Sequence, residues 1–204
     1  YTGKASRTGS QPIVIIGSGG IERFRAGAEP NAVAVEPLTF TQDATVDPDA
    51  NRINLRSLTV SSPMLNLSAS GTVDQFRTDM LMKIHAKYDG QWKQIMAVVR
   101  ELAPATDEIA VTGPLAGEFD LTGPARQPKV TPVYRELQGR TQVGWLTVRA
   151  LGFELGQAAV PVTLRQASIV VNKAAIPAAG GGTVNLDANV NLAAAEAPQL
   201  TIPG

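Results

Sequence analysis

Residues 183–192 read TVNLDANVNL. Apolar Val184, Leu186, Ala188, Val190 and Leu192 take every second position, and Asn185, Asp187, Asn189 and Asn191 fill the others. A period of two is the side-chain period of a β-strand, so every apolar group falls on one face. A helix would scatter them around its circumference. The same alternation returns in Leu65-Leu67-Ala69-Gly71-Val73 and in Met80-Met82-Ile84-Ala86-Tyr88. Such strands belong to a sheet that is wet on one face and apolar on the other. What covers the apolar face is the functional question.

Turn chemistry divides the rest of the chain into similar pieces. Pro12 to Ile16 and Ile21 to Arg25 read as two strands around a turn at Gly17-Ser18-Gly19-Gly20. Ala32 to Val35 and Leu38 to Thr41 read as short strands split by Pro37, and Asp47-Pro48-Asp49-Ala50-Asn51 is a strong turn cluster. Beyond it, Ile53 and Leu55 share one phase and Leu58 and Val60 the other, a slip that predicts a bulge near Ser57. Ile109 to Thr112 and Leu115 to Leu121 read as a paired unit around Gly113-Pro114, ending at Gly123-Pro124. Strands resume over Val143 to Phe153, with bends at Gly144 and Gly152. Val160 to Leu164 and Ala167 to Val171 follow, then a loop at residues 178–182. The Ala/Pro-rich tail from Ala193 is not expected to pack regularly.

One segment changes period. Trp92, Ile95, Met96, Val99 and Leu102 recur at spacings of three and four, one face of a helix. Asp89 is its expected N-cap and Pro104 its stop, and its apolar stripe could cap the open end of a sheet. Pro124, Pro128 and Pro132 mark residues 124–138 as a possible internal boundary, with a short helical turn at Tyr134 to Leu137. The expected fold is mainly β: an antiparallel, strongly twisted or curved sheet forming a groove or open sandwich, with one amphipathic helix near 89–103. Residues 1–204 read as one β-rich module of a longer chain.

Little in the sequence suggests bond-making chemistry. Eighteen basic and eighteen acidic residues cancel, and aromatics are 5% of the chain. Nucleic acid is therefore an unexpected partner, since neither excess cation nor stacking platform is present. There is no cysteine, which removes thiol catalysis, thiolate metal sites and disulfides. No apolar run approaches the ~20 residues that span a bilayer. The glycines after Ile16 invite a dinucleotide reading, but the third fingerprint position falls near acidic Glu22 and no βαβ unit follows. Asp47-x-Asp49-x-Asn51 has the first spacings of a calcium loop, yet Arg52 and Leu58 stand where glycine and glutamate belong. His85, the sole histidine, sits in the polar phase of its strand and reads as a surface residue. Met80, Met82 and Met96 read as core filler or as contacts to an irregular apolar ligand. Glu118 and Asp120 alternate with Phe119 and Leu121, so both acids should share the wet face.

The segment TVSSPMLNLSASGTV, Thr59 to Val73, resembles the strand pairs of AsmA-like and TamB-like bacterial envelope proteins. GPLAGEFDLTGP, Gly113 to Pro124, is similar to another element of that family. So is Val148 to Leu192, with Leu151 to Gly156, Val170-Val171-Asn172, and Gly181-Gly182 opening a long alternating strand. The resemblance covers most of residues 38–192 and rests on the order of the pieces. The helix after Asp89 and the linker behind it depart from the pattern. The resemblance implies a long β-groove in the bacterial periplasm, anchored to the inner membrane by a segment outside this stretch. It implies envelope maintenance and handling of phospholipid or another acyl-chain lipid, with envelope proteins as partners.

The leading expectation is therefore a non-enzymatic, lipid-binding or lipid-transfer β-groove needing no cofactor and no metal. Its apolar lining is expected from Leu65, Leu67, Ala69, Val73, Met80, Met82, Ile84, Val184, Leu186, Val190 and Leu192. A structural or adhesion-type β-sandwich without small ligand is the alternative, because two sheets burying each other give the same alternation. A saccharide-binding or saccharide-cleaving protein using Glu118, Asp120 and Trp145 is a third reading.

Overall fold

A computed structural model describes residues 1–22, 24–26, 33–35, 37–102, 108–125, 136–150, 152–191 and 199–201. The chain is mainly β, as the alternation predicts. Twelve strands form one antiparallel sheet: β1 (Thr2–Ser6), β2 (Ile13–Ile21), β5 (Leu38–Asp47), β6 (Arg52–Ser61), β7 (Leu65–Asp74), β8 (Leu81–Gln91), β10 (Pro114–Pro124), β11 (Gln138–Trp145), β14 (Ala158–Arg165), β15 (Ser168–Pro177), β16 (Thr183–Asn191) and β17 (Gln199–Thr201). They lie side by side in chain order, and the sheet is open, with β1 and β17 at its edges. At about 4.8 Å per strand spacing it extends roughly 50 Å across the strands. A sheet of this width takes up the right-handed twist that L-residues impose on every strand.

The remaining elements are β3 (Phe24–Ala26), β4 (Val33–Val35), helix α1 (Trp92–Leu102), β9 (Ala110–Thr112), β12 (Thr147–Ala150) and β13 (Phe153–Leu155). They form a β3–β4 pair, a β13–β12–β9 sheet and the helix. All are inserted between long strands at the same end of the sheet. The opposite end carries tight turns. Asp47 Oδ1 accepts the amides of Asp49 (3.0 Å) and Ala50 (2.9 Å), and Gln166-Ala167 link β14 to β15 with positive φ at both residues.

The predicted bulge is present. Leu55 pairs with Gly71 but Leu58 pairs with Ala69, so Arg56 and Ser57 together oppose the single residue Ser70 of β7. This resets the phase and puts Ile53, Leu55, Leu58 and Val60 on one face. A second bulge, between Val171 and Ala174, does the same for β15.

Four local expectations are corrected. Gly17 to Gly20 are not a turn; they lie within the continuous strand β2, where the Tyr1 ring covers Gly3 and Gly17 and Phe40 covers Gly19. Asp89 is not an N-cap. β8 runs on to Gln91, because Gly90 pairs with Leu65 on one side and Leu115 on the other. Residues 109–112 do not pair with 115–121: β9 joins β12, and Gly113, at φ 105°, turns the chain into β10 beside β8. The tail adds a strand, since Gln199–Thr201 pairs with β16. Most of the predicted turn at 134–137, and the stop at Pro104, fall outside the described residues. So does most of the boundary at 124–138, whose flanking strands β10 and β11 are hydrogen-bonded neighbours.

Candidate functional site: one apolar face across the sheet

Register decides what each face carries, because directly paired residues project to the same side. One rung runs Ala5, Ile15, Ala44, Leu55, Gly71, Ile84, Leu121, Gly139, Leu164, Ile169, Val190. Leu200 is the register partner of Val190 at the far edge. The rung contains no polar side chain over eleven strands. The rung on the other face, Ser6, Val14, Thr45, Asn54, Thr72, Lys83, Thr122, Gln138, is polar apart from Val14. Eleven strands thus agree on one apolar side.

Of the residues expected to line it, Leu65, Leu67, Ala69, Val73, Met82, Ile84, Val184, Leu186 and Val190 share this face by register. Met80 does not belong to the strand. It sits at φ 52° in the turn before β8, its amide donating to Gln75 O and its carbonyl accepting from Ala125. Leu192 lies outside the described residues. Leu186 packs against the tight cluster of Val160, Ala174 and Ile176, together with Trp145 and Leu155.

That cluster marks where the face is covered. Leu155 of β13 packs on it, and the strand forms a strap antiparallel to the end of β15, held by Gly156 N to Pro177 O (2.7 Å) and Ala179 N to Glu154 O (2.9 Å). The Trp145 indole donates to Gly156 O at 3.0 Å. Helix α1 also closes part of this end, as its stripe predicts. Met96 is buried, the Trp92 indole donates to Gly144 O at 2.7 Å, and the helix lies against β8 and β9. Away from the strap, Leu65, Leu67, Ile84, Phe119 and Leu121 remain half-buried.

Two details shape the open part. Tyr88 lies flat across Gly117, its hydroxyl donating to Gln142 O (2.9 Å) and meeting Thr141 Oγ1 (3.0 Å). One phenol thus crosses from β8 to β11 and its polar end is consumed by the sheet. Beside it, Gly139 leaves a gap between Leu121 and Leu164. The result is a depression of about 280 Å³ walled by Phe119, Leu121, Thr141, Val162, Leu164 and Ile169. The expected lining did not include these walls. Their signal was the Phe119/Leu121 phase, legible only as the counterpart of Glu118 and Asp120.

The opposite face holds the titratable groups. Lys87 Nζ is 2.7 Å from Glu118 Oε1, and His85 Nδ1 is 2.9 Å from Asp120 Oδ1. Hydrogen bonding to Lys87, and its charge, hold Glu118 below the ordinary glutamate pKa of 4.5. Ser70 stands opposite His85 in register, but His85 Nε2 faces Glu118 at 3.7 Å and no hydroxyl meets it among the described residues. The His85–Asp120 and Lys87–Glu118 contacts form an electrostatic ladder between β8 and β10. Trp145, on the apolar side, is separated from Glu118 and Asp120 by the sheet itself. No group of histidines and carboxylates fit to hold a metal is present among the described residues, and Asp47 is committed to its turn.

Set against models of known families, curated proteins and solved structures, the chain matches none.

Proposed function

We propose that the apolar face is a binding surface for acyl-chain lipid, and that the protein is a non-enzymatic lipid-handling β-groove of the bacterial envelope. The unbroken apolar rung from Ala5 to Val190 carries this reading. Over most of its width no second sheet covers it among the described residues; the strap and helix occupy one end. An apolar surface of that size left to water favours a partner. Each methylene laid on it contributes about 0.8 kcal/mol, so a chain needs no specific polar contact to bind. The sequence resemblance to AsmA-like and TamB-like proteins supports a periplasmic location with a membrane anchor elsewhere.

Solvent extraction of the purified protein followed by mass spectrometry tests this. Co-purifying phospholipid or fatty acid, or uptake of either from vesicles, is the expected result. Lipid-free protein that takes up none and sediments as a dimer would overturn it in favour of a sandwich closed by a second copy.

A further inference from the structure

Several cations of the polar face pair with acids across strands. Arg52 is bonded to Asp74, Arg56 to Asp43 and Lys87 to Glu118, and on the small sheet Arg149 is bonded to Glu154. Arg7 and Arg100 donate to backbone carbonyls, and Arg77 lies over Phe76. Among the arginines whose side chains are described, only Arg140 and Arg165 have no such partner, and both line one depression of about 310 Å³. The nearest acid by register is Asp120, directly opposite Arg140, but its Oδ1 is engaged by His85.

The geometry converges these two groups. Arg140 pairs with Thr163, and Arg165 lies two residues further along β14. Diagonal neighbours of this kind sit about 7 Å apart, within the reach of long side chains toward a common point. Thr122, Gln138 and Thr163 add hydroxyl and amide donors around the same hollow. Two guanidiniums and several neutral donors match an oxyanion that takes bidentate hydrogen bonds. We propose that this hollow binds a phosphoryl group. The site lies on the face opposite the apolar surface and stands or falls independently of the lipid reading. Asp120 stands at its rim with Oδ1 bonded to His85.

A phosphoryl group reaches such a site on a soluble molecule or on a lipid headgroup, and two probes separate them. Methyl phosphate is titrated calorimetrically into the protein, and flotation is measured with phosphatidylcholine vesicles with and without phosphatidate. Saturable binding of either probe is expected. Arg140→Gln and Arg165→Gln should each weaken it about tenfold or more, the worth of a lost charged hydrogen bond. Arg56→Gln, which removes the same charge elsewhere on this face, should leave it unchanged. Binding of phosphatidate vesicles without methyl phosphate assigns the group to a headgroup; the reverse assigns it to a soluble ligand. The proposal is overturned if neither probe binds, or if Arg56→Gln weakens binding as much as the other two. All three substitutions fall on exposed strand positions, and a circular-dichroism melt confirms that each variant is folded.

Discussion

Gly139→Val separates the apolar depression from the stability of the sheet. Gly139 is not among the residues with positive φ, so a side chain is compatible with its backbone. A Cβ built there meets Asp120 O at 3.2 Å, Leu121 Cδ1 at 3.4 Å and Leu164 Cβ at 3.6 Å, close but accommodated by a shift of a few tenths of an ångström. Valine also suits a strand better than glycine, an advantage of up to ~1 kcal/mol that offsets the crowding. Stability should therefore stay within about 1 kcal/mol of the parent. The three added carbons occupy the floor of the 280 Å³ depression. A ligand chain seated there loses contact for about three methylenes at ~0.8 kcal/mol each, roughly 2.4 kcal/mol or about 60-fold in Kd. The assay is displacement of a fluorescent fatty acid, with urea denaturation in parallel. Gln142→Val, on the same strand but the polar face, is the control. An unchanged Kd in a normally folded Gly139→Val protein would refute the claim that the depression seats the chain.

Gly71→Ala should behave in the opposite way to Gly139→Val. At φ 152° its Cβ would stand 2.1 Å from Lys83 O, and urea denaturation should show a loss of about 1–3 kcal/mol. Ala86→Leu overfills a fully buried position beneath Phe119, with an expected cost of about 1–3 kcal/mol in the same assay. Tyr88→Phe removes a hydroxyl bonded to Gln142 O and Thr141; a loss of about 1 kcal/mol is expected, and no loss would show that the phenol is held by packing alone. Lowering of the Glu118 pKa by Lys87 gives a stability contribution present above the unfolded glutamate value and lost as pH falls through the folded value. Melting temperature followed from neutral to acid pH should fall less steeply in Lys87→Met than in the parent.

Strands and faces were legible where one face is polar throughout, as in residues 183–191, because period two needs no knowledge of partners. Even the bulge at Arg56 and Ser57 was legible, since a phase slip between Leu55 and Leu58 has no other economical reading. What failed depended on distant residues. Gly17 to Gly20 carry a turn signal, which the ladders to β1 and β5 override, with Tyr1 and Phe40 lying over Gly17 and Gly19. Asp89 carries a capping signal, which two ladders from Leu65 and Leu115 override. The depression went unseen for a related reason. Val160, Val162, Thr163 and Leu164 do not alternate cleanly, and Gly139 becomes a floor only once Leu121 and Leu164 stand on either side.

The pattern of burial argues against reading the open face as half of a sandwich formed within this chain. In a sandwich, facing side chains interdigitate across about 10 Å and the largest ones vanish from solvent first. Here the order is reversed. Away from the strap, Ala44 is buried between Ile15 and Leu55, and the paired Ala69 and Ala86 between Leu58 and Phe119, while these taller neighbours stay half-exposed. Ile176 is the one large side chain fully buried among the described residues, and it lies under the strap formed by β13. Burial by neighbours in the same layer hides small residues; burial by an opposing layer hides large ones. Most of this face has only the first kind. Small and large residues are interspersed along its rungs, as at Ala44, Leu55, Gly71, Ile84, Leu121, Gly139 and Leu164, and leave shallow relief, which a flexible chain can follow more closely than a second rigid sheet.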